Sequence, residues 1–390
     1  MTVCTTRRRV AIVAAALAAG MTTFPSAARA QGYDQAQLRR DLNAVSATGV
    51  VGTLGEVVTP SGRLRARAGV RELTSRAPVP ADARFRIGSV TKTFVSTVVL
   101  RLVGEGRLSL DDTVEKWLPG VVRSSGNDGR EITVRQLLQH TSGLHNYLPK
   151  PPGSARAWRE ERLRSYRAEQ LVARAVRHRP DFAPGTNWRY SNTNYVLAGM
   201  IIRKVTGHTW QREVHDRILK PLGLRHTSAP GADPHMPRPH ARAYMRFQRG
   251  GPWVDVTVKN QTLGDAAGAM ISTTGDLNAF FRALMDGRLL APAQLAEMKK
   301  TVPAKELQAM GVPGARYGLG LLYRPLSCGG GYWSHGGDGD GYRTRLGVSP
   351  DGRRGVVVSA TSRSLADFKA EQRADRAMAT LVDHALCATG

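Results

Sequence analysis

The sequence predicts one α/β unit split by a mainly helical insertion. Short β-type runs lie near both ends of the chain. Helix-period runs crowd the middle, and a long amphipathic pattern closes the sequence. The 390 residues allow two or three units, or one large domain carrying an insertion. The expected division is a signal peptide at 1–30, the α/β unit at 31–115 and 265–390, and the helical domain at 116–264.

The first segment reads as a targeting signal. Arg7-Arg8-Arg9 precedes an apolar run from Val10 to Gly20, and Ala28-Arg29-Ala30 gives a small-x-small ending. The run is too short to span a bilayer, which takes about 20 residues. Thr6-Arg7-Arg8-Arg9-Val10 also suggests the twin-arginine route. The mature chain is expected to be exported, without a membrane anchor. Cys4 leaves with the signal. Cys328 and Cys387 remain, and two cysteines in an exported chain are expected to pair.

The mature chain then unfolds in order. Val50–Leu54 and Glu56–Thr59 read as two strands, with turn signals from Pro60. From Thr91 to Val103, Phe94, Val95, Val98, Val99 and Leu102 recur at helical spacing, and Gly104 and Gly106 stop the helix. Helical patterns follow at Arg167–His178 and Tyr195–Lys204. Gly268–Ser272 reads as a strand, and Thr274–Met285 as a helix. Strand patterns return at Tyr317–Tyr323, Tyr332–His335, Tyr342–Val348 and Gly355–Ala360, and a last helix runs from Leu365 to Leu386.

Fifty-six Lys+Arg against 31 Asp+Glu give a net charge of +25. The basic residues are scattered and no nucleic-acid motif accompanies them, so nucleic acid is excluded as a partner and an anionic polymer such as a cell wall is favoured.

The chemistry begins at Ser89-Val-Thr-Lys92. Ser and Lys three apart at a helix start share one face. A serine hydroxyl needs an adjacent base, and a lysine in a partly dry pocket can lose its proton and serve. Tyr190-Ser-Asn192 follows on a loop, where the Tyr and Asn can point into one cleft. His335-Gly336-Gly337 lies in a strand pattern, where glycines let a ligand approach the backbone.

These three motifs, in this order, resemble the signature of the serine β-lactamase and penicillin-binding-protein superfamily. The Tyr-x-Asn form with a His triplet is similar to its class C branch and to the secreted actinomycete D-alanyl-D-alanine carboxypeptidases. Phe85–Lys92, Leu137–Leu144, Pro221–Leu224 and Tyr317–Gly320 look like family blocks, and Cys328 and Cys387 fall where that carboxypeptidase has its disulfide. The resemblance implies a β-lactamase/transpeptidase-like fold, an antiparallel sheet flanked by helices with an inserted helical domain. It implies acylation of Ser89, with Lys92 and Tyr190 sharing the proton work in an order left open, Asn192 holding the substrate amide, and His335 beside Tyr190. The oxyanion hole would come from the N–H groups of Ser89 and Asp338. Gly336, Gly337, Asp338 and Arg343 would line the substrate.

Two departures bear on the leaving group. Gly336 and Asp338 stand where the carboxypeptidase pattern offers hydroxyls to a terminal carboxylate, and Asp338 would repel one. Arg343 or Arg345 could compensate. The expected activity is therefore a D-Ala-D-Ala carboxypeptidase acting on peptidoglycan stem peptides and acylated by β-lactams. An esterase, D-aminopeptidase or β-lactamase of the same fold is the alternative, and a non-catalytic wall- or drug-binding protein the reading from another class. No cofactor or metal is expected, and the chain should be monomeric. Neither Gly-x-Ser-x-Gly nor His-Glu-x-x-His occurs. Asp338-Gly-Asp340-Gly lacks the glutamate of a calcium loop and reads as a turn. His140 and His145 read as structural.

Overall fold

The main sheet begins with Gly52–Thr59, a single strand where the sequence suggested two. Gly55 does not break it. A Cβ there would press on Leu42 at 3.3 Å, so the glycine lets the helix Gln35–Ser46 lie close on the sheet. That helix, capped by the Asp34 carboxylate, has no counterpart in the sequence-based expectations. The computed structural model describes residues 1–3 and 32–388, and the rest of the expected signal, with Cys4, lies outside them. From Gly32 on the chain forms one compact unit.

The sheet has nine strands. In order they are Gly62–Gly69, Gly52–Thr59, Gly355–Ala360, Arg343–Val348, Gly331–Ser334, Leu322–Pro325, Arg316–Tyr317 and Val302–Pro303, with Gly337–Asp338 also paired to Arg343–Val348. Every pairing within it is antiparallel. Two expectations shift here. Tyr317–Tyr323 is two short strands joined by a turn, and Gly268 ends a helical turn, Asp265–Gly268, instead of opening a strand.

One face of the sheet is covered by the Gln35–Ser46 and Phe368–Cys387 helices, which pack Leu38, Leu42, Met378, Leu381 and Val382 against Val57, Val356 and Val358. The other face meets the principal core. That core runs without interruption through Phe94, Val98 and Leu102 into Leu137, Leu171, Val196 and Ile201 of the region between the sheet segments. The helical segment 116–264 thus shares one core with the sheet-bearing parts. Cys328 and Cys387 are bonded, tying a sheet loop to the end of the last helix. Closing 59 residues stabilises by about 4 kcal/mol in the chain-entropy account. Among the described residues, no helix is long and apolar enough to cross a membrane.

Two close approaches place the motifs together. The chain turns at Gly88, φ +50°, in the left-handed region that glycine enters without strain. A Cβ there would sit 2.6 Å from the Asp338 carbonyl, and one on Gly337 would sit 1.8 Å from the Ile87 carbonyl. Only two glycines allow the strand after His335 to lie against the turn that carries Ser89.

Candidate active site

Ser89 sits in the one-turn Gly88–Val90 segment that leads into the helix Thr91–Gly104. That helix is buried on every side from Thr91 to Leu100, polar residues included. Its polar side chains are satisfied inside: Thr93 donates to the Gly320 carbonyl at 2.8 Å, and Ser96 meets the Tyr195 hydroxyl at 3.1 Å. Lys92, one turn after Ser89, is therefore carried into the interior and is 0% exposed.

The Lys92 Nζ has three neighbours: Ser89 Oγ at 3.0 Å, Asn192 Oδ1 at 2.7 Å and the Ala267 carbonyl at 2.6 Å. Burial pushes its pKa well below the ordinary lysine value. A neutral amine has two N–H donors and one lone pair. With the donors directed to Asn192 and Ala267, the lone pair faces the Ser89 hydroxyl. Burial raises the pKa of Tyr190 well above the usual phenol value. It is a protonated phenol, able to donate.

Tyr190 and Asn192 are held by a residue that the sequence assigned a structural role. The His140 Nδ1 accepts from the Ser191 backbone N–H at 3.2 Å and from the Asn194 amide at 3.0 Å. Its ring lies 4.3 Å from that of Tyr190. Asn146 adds an acceptor for the Asn192 N–H at 3.2 Å. Of these supports, Asn146 and Ala267 left no readable signal in the sequence. His140 did, in the Leu137–Leu144 block.

His335 is buried, and both its ring nitrogens are engaged. Nδ1 lies 2.7 Å from the Gly336 carbonyl, so it carries the proton, and Nε2 accepts from the Tyr317 hydroxyl at 2.9 Å. Burial lowers its pKa to about 3. His140 shifts the same way, first through burial. Both rings are neutral in the fold and become protonated in the unfolded chain below about pH 6.5. Stability should therefore fall as pH drops through 6.5 towards 4, by about 1.4 kcal/mol per pH unit for each histidine. Urea midpoints at pH 7, 5.5 and 4.5 measure this. The slope should flatten in His335→Asn, and an equal slope in both proteins would contradict the assignment.

Asp338 does not stand as a free repelling charge. Arg343 Nε lies 3.0 Å from its carboxylate and Arg345 Nη2 3.3 Å, with Arg363 at 3.9 Å. Arg343 also pairs with Glu371, and Arg345 with Asp375, both on the last helix. Arg343, expected at the substrate, is 7% exposed in its side chain and turned to that helix. Neither arginine is open to a substrate carboxylate. Gly336 leaves room for Arg345, whose Nη1 would be 3.2 Å from a Cβ there.

A cleft of about 240 Å³ adjoins Ser89 and Asn192 and is walled by Tyr147, Trp158, Leu263 and Asp338. A larger cavity of about 700 Å³, bounded by Tyr166, Met200, Trp210 and Asp265, contains none of the motif residues. Among the described residues, no cluster of His, Cys, Asp and Glu could hold a metal ion.

Known proteins resemble this chain in fold and sequence. A D-stereospecific amidohydrolase from Streptomyces sp. superposes with a TM-score of 0.80 at 42% identity, over 89% of this chain and 98% of that one. The D-amino acid amidase from Ochrobactrum anthropi SV3, complexed with D-phenylalanine, gives 0.73 at 28% identity, over 88% and 98%. Esterase EstB from Burkholderia gladioli is 35% identical over 212 residues, 52% of this chain and 51% of the esterase. The chain thus spans about half the length of that relative, and 31% of the Staphylococcus aureus protein flp at 30% identity. The Beta-lactamase family profile matches residues 31–380, and the chain belongs to that family.

Proposed function

We propose that this protein is an exported serine hydrolase that cleaves small amides and esters of D-amino acids through an acyl-enzyme on Ser89. The observation that carries the reading is the buried Lys92 amine, 3.0 Å from Ser89 Oγ with its other two contacts on acceptors. Neutral Lys92 takes the Ser89 proton as Oγ attacks the carbonyl. The N–H groups of Ser89 and Asp338 hold the oxyanion. Tyr190, kept protonated by burial, donates to the leaving amine or alkoxide; in deacylation its phenolate takes the proton of the attacking water, and the Lys92 ammonium returns its proton to Ser89 Oγ as the acyl group leaves. Asn192 orients Lys92 and faces the cleft that receives the acyl group.

The choice of D-amino acid amides over a D-Ala-D-Ala peptide rests on two supports. The solved relatives at 42% and 28% identity are named for D-stereospecific amide hydrolysis. Among the described residues, the triplet region also offers no unpaired cation for a terminal carboxylate, since Arg343 and Arg345 are committed to Asp338 and the last helix, and the unpartnered Thr344 hydroxyl opposite Gly337 is fully buried.

The test compares kcat/KM for D-phenylalanine amide, L-phenylalanine amide and a D-Ala-D-Ala peptide. The wrong enantiomer loses one hydrogen bond to a charged or oriented group. It should react about tenfold to hundredfold more slowly. The D-amide should lead, and mass spectrometry should find the acyl group on Ser89. A clear preference for the peptide would return the assignment to a carboxypeptidase.

A further inference from the structure

Arg86 lies three residues before Ser89, in a short strand paired to Ile271–Ser272. It is 2% exposed and borders the cleft that adjoins Ser89. Its Nη2 donates to the carbonyls of Pro234 and Lys259, each at 3.0 Å. Its Nε and Nη1 have no hydrogen-bond partner among the described residues. Burial works against the charge, and the nearby Tyr342 and Asp340 offset this only in part. A buried cation with two unpartnered donor nitrogens is costly unless an acceptor from outside the protein completes it.

The charge balance of the cleft points the same way. Arg86, Lys150, Arg162, Arg164 and Lys259 line it. Of its carboxylates, Asp340 pairs with Lys259 and Asp338 with three arginines from outside the cleft. Glu161 alone is left against Arg86, Lys150, Arg162 and Arg164, none of which makes an ion pair among the described residues. Low-dielectric walls concentrate such a field.

The cleft also has a side. The leaving group must face Tyr190, which supplies its proton. Among the described residues the cleft is bordered by Ser89 and Asn192 but by neither Tyr190 nor His335, so it receives the acyl half of the substrate. We infer that this cleft selects acyl groups that carry a carboxylate beyond an apolar stem, the anion being drawn by Arg86 and the cations around it. The stem would lie among Tyr147, Trp158 and Leu263. This rests on the acyl-enzyme reading above and narrows it to acidic D-acyl groups.

The experiment compares two isosteric substrates, the α-amides of D-glutamate and D-glutamine. In the unaltered enzyme kcat/KM should favour D-glutamate by about tenfold or more, the size of one hydrogen bond to a charged group. Arg86→Gln should bring the ratio close to one, and Arg86→Lys should restore part of it. If Arg86→Gln does not fold, the Arg162→Gln/Arg164→Gln variant carries the test and should lower the ratio severalfold. A third pair, D-alanylglycine and its amide, puts the carboxylate on the leaving side, where no such preference is expected. Equal rates on D-glutamate and D-glutamine amides, an unchanged ratio in folded Arg86→Gln, or a preference confined to the leaving side would overturn the inference while leaving the hydrolase standing. Absence of turnover and of any acyl group on Ser89 would instead remove the hydrolase reading, and this inference with it.

Discussion

Replacing Ser89 by alanine should lower kcat/KM for every amide and ester by about four orders of magnitude or more, while the protein stays folded. The nucleophile has no substitute nearby: Lys92 is neutral but enclosed by Asn192 and Ala267, and Tyr190 is held as a phenol. Residues that act as a unit lose nearly the whole rate when one is removed. The fold should tolerate the change, because the Ser89 side chain caps no helix and its loss removes only its bond to Lys92. One lost hydrogen bond is worth about 1 kcal/mol. Two measurements decide the matter: initial rates on D-phenylalanine amide, and intact mass after incubation with a penicillin. The unaltered protein should gain the mass of the acyl group and Ser89→Ala should not. Turnover by a folded Ser89→Ala protein would end the mechanism proposed for this site.

Lys92→Met carries the second large effect. Methionine fills the same buried channel without a lone pair able to take the Ser89 proton. Loss of a general base costs about 10²- to 10⁴-fold. The pH profile distinguishes this from a packing defect. The base must be unprotonated, and burial holds the Lys92 pKa well below the ordinary value. The rate should therefore fall on the acid side as Lys92 gains its proton, and rise again with pH. In Lys92→Met that acid limb should vanish along with most of the rate. Lys92→Arg should not rescue, because a guanidinium stays protonated throughout. An unaltered acid limb in Lys92→Met would assign that ionisation to another group.

Much of this was legible without coordinates, for identifiable reasons. The helix Thr91–Gly104 announces itself because Phe94, Val95, Val98, Val99 and Leu102 recur at helical spacing, and Gly104 and Gly106 mark its end. Gly355–Ala360 is bounded as expected because β-branched residues sit between turn signals. The helix Gln35–Ser46 was not legible: its apolar positions, Leu38, Leu42 and Val45, are few among polar ones, and part of what they bury against, Val356, Val358, Met378 and Leu381, lies at the far end of the chain. Gly55 and Gly268 misled in opposite senses, since a glycine that permits close packing reads the same as one that ends an element.

The sequence by itself determined the order of the chemical groups: a serine one helical turn before a lysine, a tyrosine two before an asparagine, and a histidine before two glycines. Local chain geometry dictates those spacings, and so a sequence can carry them. Only the tertiary structure decided what state each group is in. The Lys92 pKa is pushed well below the ordinary lysine value because packing from every side strips the amine of water. His335 is neutral for the same reason, with the Gly336 carbonyl fixing its tautomer. Asp338 is paired because Arg343 and Arg345 reach it across a hairpin and Arg363 from a third strand. Desolvation and pairing depend on which distant segments converge, and no local pattern of residues records that.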